Sequence, residues 1–233
     1  MGDLEVEKKG FTKGYVILCV LYAFLLTLSN VMTGKVISVC GITLTAGILV
    51  FPAVYIISDL MTEVYGIRLS MLSIRLNTLC ALIFAIMSLV LVALPYPVFW
   101  QGQEAYKTVF LTTPRIIVAS LIGYYFGDWL NSSIISWLKV KQGGKGFAAR
   151  AIWSTVFGEL ADTGLFFMLA FIGTMPLRVL VGIIVAQYCA KVGYEAICVP
   201  ITARIVKFWK AWDAMDIYDT GEIGQYNPFR MNA

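Results

Sequence analysis

The sequence predicts an all-α integral membrane protein: a bundle of about six transmembrane helices with both termini cytoplasmic. Composition is the first reason. The chain has 233 residues, of which 59% are hydrophobic and only 14% charged, whereas soluble domains average about 45–50% apolar and about 25% charged residues. Segmentation is the second. Six apolar stretches lie near or above the roughly 20 residues that cross a bilayer as a helix, and polar or Pro- and Gly-bearing breaks separate them. The third is charge. Lysine and arginine sort onto alternate sides of those stretches, as expected of a multi-pass protein.

Residues 1–13 are polar and mixed in charge and are expected to be an exposed cytoplasmic segment. The first span, 15–31, is too long for a signal-peptide core and lacks a small-residue cleavage site, so it reads as a retained helix. The second, 36–60, carries Gly41, Gly47 and Pro52 and is expected to be broken or kinked. The third, 70–94, stops at Pro95 and Pro97. The segment after it holds Trp100 and Tyr106, residues suited to the headgroup layer. The fourth, 114–138, opens on Pro114, a favoured first helical residue. A basic, Gly-rich loop (KVKQGGKGF) follows. The fifth is 151–173. The sixth is 177–206, after Pro176, so the membrane domain covers 14–206. The tail, 207–233, is too polar to cross.

The Lys and Arg census gives 13 residues on one side: Lys8, Lys9, Lys13, Arg68, Arg75, Lys139, Lys141, Lys145, Arg150, Arg204, Lys207, Lys210 and Arg230. The other side has 4, Lys35, Lys107, Arg115 and Arg178, and Lys191 stays inside a span. The rich side is expected to be cytoplasmic, facing anionic lipid, and nothing points to nucleic acid. Five cysteines (Cys19, Cys40, Cys80, Cys189, Cys198) form no CxxC and read as reduced packing residues. Histidine is absent, which removes the commonest metal ligand. No metal or cofactor is expected.

Function is best marked by Asp128, Glu159, Asp162, Glu195 and Lys191, ionisable residues in otherwise apolar runs. Each costs roughly 2.5–3.5 kcal/mol at bilayer depth, so such residues face a polar pocket or pathway. In the fifth span, Thr155, Glu159, Asp162 and Phe166 recur at helical spacing and share a face. Two carboxylates three residues apart call for a cation or a multi-donor ligand between them. Lys191 is the one interior cation. Gln187, Lys191 and Glu195 form a second stripe, in which Lys191 and Glu195 can pair within the helix. Asp128 and Asn131 are three apart; Asn131 suits either a heterocycle edge or contact between helices. Asp59 and Glu63 are four apart at the expected cytoplasmic boundary, where a solvated helix end also explains them. Trp153, Phe166, Phe167 and Tyr188 can stack on a planar ring or simply pack. The acids, Asn131 and Gln187 are expected to converge on one site that accepts from an N–H/NH₂ edge.

At these residues the chain resembles the queuosine precursor transporter family, also called the VUT family. The likeness runs from about residue 14 to 220. It rests first on Asn30 with Lys35 and on AGILVFPAVYIISDLMTEVYG from Ala46 to Gly66, whose DLMTEVYG is the most specific piece. It continues with Asn131 followed by Leu138-Lys139-Val140, Arg150 with Ser154-Thr155, and Asp162-Thr163 with Phe166 and Phe167. Gln187, Lys191, Glu195, Pro200 and Asp216-Ile-Tyr-Asp219 complete it. The resemblance implies about six spans in a bacterial inner membrane and import of a 7-deazaguanine: 7-cyano-7-deazaguanine, 7-aminomethyl-7-deazaguanine or queuine. It adds Asn30, Lys35, Asp59 and Glu63 to the candidate substrate-binding residues.

The expected function is therefore a non-enzymatic secondary carrier with acid-coupled transport, in which Lys191 and Glu195 tune charge or carry protons. Spans one to three and four to six can be inverted halves, because three spans reverse the topology. A homodimer is compatible with the sequence. The main rival is a substrate-binding subunit served by a separate ATPase, since the chain has no GxxxxGK[ST]. An intramembrane hydrolase is disfavoured, because there is neither HExxH nor any histidine to act as base.

Overall fold

A computed structural model describes residues 11–33, 35–39, 42–110, 114–174, 176–221 and 223–229. Lys8, Lys9, Cys40, Gly41 and Arg230 lie outside the described residues. Five helical stretches are long and apolar enough to cross a membrane. The helices are α1 (Lys13–Thr33), α2 (Phe51–Ala93), the short α3 (Gln103–Phe110), α4 (Pro114–Lys141), α5 (Phe147–Phe171) and α6 (Leu177–Asp213). Between α1 and α2 stands an antiparallel hairpin, β1 (Val36–Val39) on β2 (Ile42–Thr45), with Val36 opposite Thr45. This corrects the expectation of a helical span from residue 36. The run VISVCGITLT is rich in β-branched residues that favour strands, and a 3-10 turn, Ala46–Leu49, leads from the hairpin into α2.

The 43 residues of α2 would reach about 64 Å as one rod, twice a bilayer core of about 30 Å. The helix instead breaks at Gly66, whose φ of 79° and ψ of 172° suit glycine and not a residue with a Cβ. Thr62 and Ser70 would sit about 12 Å apart along a straight axis, yet their hydroxyls are 2.7 Å apart. The chain therefore doubles back at Gly66. The expected break within 36–60 is present at Gly47, in the 3-10 turn between the hairpin and α2. Gly41 lies outside the described residues, and Pro52 lies in the first turn of α2, where it needs no partner for its nitrogen.

The first half of α2 is the centre of the bundle, with every residue from Ser58 to Ile67 buried. Around it, α1 turns Tyr15, Leu18, Tyr22 and Leu26 inward on one face. Along α4 most of the buried residues are polar or small, Gly123, Gly127, Asp128, Asn131, Ser132 and Ser136 among them, with Tyr124 and Ile135 beside them. Most of the polar residues face in, and most of the partly or fully exposed residues are apolar, the inverse of a soluble helix. The most extensive packing is α4 on α5. A Cβ on Gly127 would come within 2.6 Å of the Asp162 Cβ, and one on Gly158 within 2.8 Å of the Asn131 Cβ. Gly123 and Gly127 make a GxxxG seam that lets the two backbones approach. α6 packs on α5 and α2 and leaves most of its surface exposed.

One end of the bundle gathers the start of α1, the Gly66 turn, the α4–α5 loop and the end of α6. Tyr65 donates to Asp213 at 2.6 Å, and Thr12 donates to the same carboxylate. The residues after α6 pack back there: the Ile217 amide donates to the Val64 carbonyl at 2.9 Å. Among the described cysteines, Cys80 and Cys189 are exposed on the outer surface rather than packed, and all four are free.

Replacing Gly127 by Leu overpacks the α4–α5 seam and is expected to cost about 1–3 kcal/mol. Thermal unfolding in detergent reads this as a lowered midpoint. Gly164→Leu, where a Cβ would meet nothing within 4 Å, is the control and should leave the midpoint unchanged.

Candidate functional site

A cavity of about 370 Å³ lies at the hairpin end of the bundle, within the range of about 300–1,000 Å³ for small-molecule sites. Asn30 of α1, Phe51 and Phe84 of α2, Tyr124 of α4, Asp162 and Phe166 of α5, and Gln187 and Lys191 of α6 all line it. Most of the wall is apolar, and a few polar groups stand out on it. Such a composition fixes the orientation of a ligand while its surface is buried.

The main polar feature is an ion cluster across α5 and α6. Lys191 Nζ is 2.7 Å from Asp162 Oδ2 and 2.9 Å from Glu159 Oε2. The same ammonium lies 3.9 Å from the Phe51 ring centroid, a cation–π contact. Thr163 donates to Glu159 at 3.3 Å. Two carboxylates around one ammonium leave one negative charge uncompensated when both acids are ionised. Asp162 brings that charge to the cavity wall, and Glu159 stands behind Lys191. The expected pairing of Lys191 with Glu195 inside α6 does not form. Lys191 reaches across to α5, and Glu195 accepts from Thr155 at 2.6 Å. A contact between helices offers the ammonium two carboxylates where the intrahelical one offers a single acid.

Asn131 is not in the cavity. Its Nδ2 donates to Asp59 Oδ1 at 2.6 Å, and Glu195 lies beside Asp59. The convergence expected of the acids, Asn131 and Gln187 thus splits into two groups. Asp162, Gln187, Lys191, Phe166 and Asn30 share the void, with Glu159 behind it. Asn131, Asp59 and Glu195 form a separate cluster nearer the Gly66 turn. Lys35 is exposed at the base of the hairpin. Phe167 lines the cavity, whereas Trp153 is exposed and stacks on Phe157. Tyr188 donates to the Val156 carbonyl at 3.1 Å.

Asp59 and Glu63 are each 1% exposed, which corrects the expectation of a solvated helix end. Glu63 meets Arg150 at 2.8 Å and Lys210 at 2.7 Å. Lys139 donates to the Glu63 carbonyl at 2.5 Å and meets Asp216 at 2.6 Å. Arg150 and Lys139 are buried, so Lys191 is not the only interior cation. Burial opposes ionisation of Asp216, but the Lys139 and Lys210 ammonium groups outweigh it and hold its carboxyl below the usual range. These contacts tie α2, α4, α5, α6 and the tail together at the end opposite the cavity.

Hydroxyl groups were missed in the sequence. Tyr22 and Ser58 both donate to Asp128, Ser58 at 2.5 Å. Helical spacing carries the signal: Ser58 and Thr62 are one turn apart, as are Asp128, Ser132 and Ser136.

A family described as "Putative vitamin uptake transporter" matches residues 45–205. The chain belongs to this family. It is 27% identical over 201 residues to a "Probable queuosine precursor transporter" of Bacillus subtilis (strain 168), covering 82% of this chain and 83% of that protein. It is 29% identical over 154 residues to a "Queuosine precursor transporter" of Escherichia coli (strain K12), covering 66% of this chain and 67% of that one. No solved structure matches. Bacterial relatives and long apolar helices make it a multi-pass protein of the bacterial inner membrane.

Removing one partner from a buried ion pair leaves the other charge uncompensated, at a cost of about 3–5 kcal/mol. Arg150→Met is accordingly expected to lower the unfolding midpoint in detergent strongly. The double variant with Glu63→Gln should recover part of the loss, since it removes a buried carboxylate that the half-buried Lys210 alone is left to balance.

Proposed function

We propose that this chain imports a queuosine precursor, a 7-deazaguanine base, through the cavity walled by Asp162, Gln187 and Lys191. The observation that carries the reading is the join of the Asp162–Lys191 pair, the Gln187 and Asn30 amides and the rings of Phe51, Phe166 and Phe167 on one void. A 7-deazaguanine offers N1–H and 2-amino donors, which a carboxylate accepts bidentately. Amides match its mixed edge, and aromatic rings cover its faces. An aminomethyl substituent adds a cation to a site with a surplus carboxylate. The relatives' names support this substrate class.

The fold-back at Gly66 divides α2 into 51–65 and 67–93. The first, about 22 Å long, spans a core of about 30 Å only together with the 3-10 turn and hairpin before it, and on that reading the two segments with α1, α4, α5 and α6 give six crossings. The end holding the Gly66 turn carries the Lys- and Arg-rich loops and is read as cytoplasmic, with both termini. The cavity then faces outward, and the Glu63–Arg150–Lys210 contacts close the inner side. Release inward requires those contacts to separate, as alternating access demands. On this reading the carrier is a secondary transporter coupled to protons, with carboxylates at membrane depth as the groups that take them up. The lack of a phosphate-binding loop means only that this chain supplies no ATPase of its own.

Bacteria lacking their own queuosine precursor uptake, supplied with this chain and labelled 7-cyano-7-deazaguanine, 7-aminomethyl-7-deazaguanine or queuine, provide the test. Wild type should accumulate at least one base. Asp162→Asn, which keeps shape and loses the charge, should lose roughly 10-fold or more, the scale of one charge-assisted hydrogen bond of about 1.5–3 kcal/mol. Full uptake by Asp162→Asn at normal expression contradicts the role. Uptake by wild-type liposomes only when a separate ATPase is added would replace the secondary carrier with an ATP-driven one.

A further inference from the structure

Two runs of hydroxyl groups meet at one buried carboxylate, Asp128. On the cavity side, the Tyr124 hydroxyl, on a residue lining the void, donates to the Tyr22 hydroxyl at 2.9 Å, and Tyr22 donates to Asp128 Oδ2. On the other side, Ser58 donates to Asp128 Oδ1 at 2.5 Å. Ser58 and Ser132 are 3.3 Å apart, and Ser132 lies 3.0 Å from Thr62 and 3.1 Å from Ser70. Thr62 and Ser70 flank the Gly66 turn. Asp128, Tyr22, Ser58, Ser132, Thr62 and Ser70 are each no more than 1% exposed. Among the described residues no Lys or Arg forms an ion pair with Asp128.

We propose that Asp128 is a proton-binding site, separate from the substrate cavity, fed from the cavity through Tyr124 and Tyr22 and emptied toward the Gly66 turn through Ser58, Ser132 and the Thr62–Ser70 pair. The proposal takes the proton-coupled carrier reading for its purpose, while its geometry stands on its own.

The reasoning is chemical. A hydroxyl is donor and acceptor at once, so a chain of them passes a proton by each group handing on its own hydrogen while receiving the next. A carboxylate only accepts, and here it is the acceptor end of both arms. A proton entering at Tyr124 displaces hydrogens along the chain and leaves a neutral carboxylic acid at Asp128. On the way out, the Asp128 acid turns so that its hydrogen faces Ser58, and the Ser58 hydroxyl swings its own hydrogen from Asp128 to Ser132. Asp128 then gives its hydrogen to the Ser58 oxygen while Ser58 passes its own to Ser132, which restores the carboxylate. An ionisable residue at membrane depth, faced by polar groups only, marks such relays. The other charges toward Asp128 come from α5: Glu159 and Asp162, both already bound by Lys191. From α1 and α2 it meets the neutral Tyr22 and Ser58. Beyond Ser132, Ser136 is one turn further along α4 and donates to Asp219 of the tail at 2.5 Å, so the exit points at the cytoplasmic surface.

Two readouts on the full chain test this, with Asp128→Asn and with Tyr22→Phe, which keeps the ring and breaks the cavity arm. Infrared difference spectra of purified protein between acidic and alkaline buffer should show a carboxylic acid C=O band in wild type that Asp128→Asn lacks. In liposomes, both variants should still exchange labelled 7-cyano-7-deazaguanine for unlabelled base and lose accumulation driven by an imposed pH gradient. Unchanged gradient-driven accumulation in both variants, or an infrared difference that Asp128→Asn leaves intact, overturns the proposal. Loss of exchange along with accumulation in both variants also overturns it, because proton and base would then share one site. If wild type exchanges none of the three deazaguanine bases, the carrier reading fails, and the infrared comparison still decides whether Asp128 holds the proton.

Discussion

Lys191 between Glu159 and Asp162 is the contact on which the rest of the molecule depends. An ammonium and two carboxylates in hydrocarbon are tolerable only when they satisfy one another, because each alone is strongly disfavoured there. That requirement draws α6 onto α5, although α6 offers little else to bury. It also sets Asp162 on the wall of a void, with charge in excess of what one lysine neutralises. The group that holds the last helix in place and the group best able to hold a ligand are the same.

The other contacts can be ranked by what they permit. The Gly123, Gly127 and Gly158 seam lets α4 and α5 approach closely enough for Asp162 to reach both the cavity and Lys191. The Gly66 turn lets one long helical run serve as two antiparallel segments, placing Phe51 and Phe84 on the same cavity although they are distant in the chain. The buried Glu63–Arg150 pair and the Lys139–Asp216 contact then close the opposite end. The cavity and the buried charge contacts occupy opposite ends of one bundle, the arrangement that the proposed alternating access requires.

Much of this was legible in the residues, and the failures have physical causes. Hydropathy marked the apolar runs, because a lipid-facing surface imposes composition whatever the packing. The shared face of Glu159, Asp162 and Phe166 was legible because helical spacing fixes it. The partner of Lys191 was not: spacing within a helix names only neighbours on the same helix, and the stronger offer came from α5. Asp59 and Glu63 looked like a solvated end because they stand where the apolar stretch 36–60 ends, and a span ending there would put them at the boundary. The tail that covers them, with Ile217 on Val64 and Asp216 on Lys139, has a polar composition that hides its packing role. The hairpin at 36–45 was absorbed into an apolar run, since hydrophobicity alone does not separate a short strand from a helix. Serine and threonine carried no hydropathy signal, so the Asp128 hydroxyl arms emerged only once three helices were side by side.

An experimental density map of the protein in lipid, prepared with saturating 7-cyano-7-deazaguanine, tests the central claim most directly. The account predicts a planar density in the hairpin-end cavity, its donor edge against Asp162 and a face against Phe166 or Phe51. Density for the base in another part of the bundle, or a cavity filled by lipid while the base sits elsewhere, would contradict it.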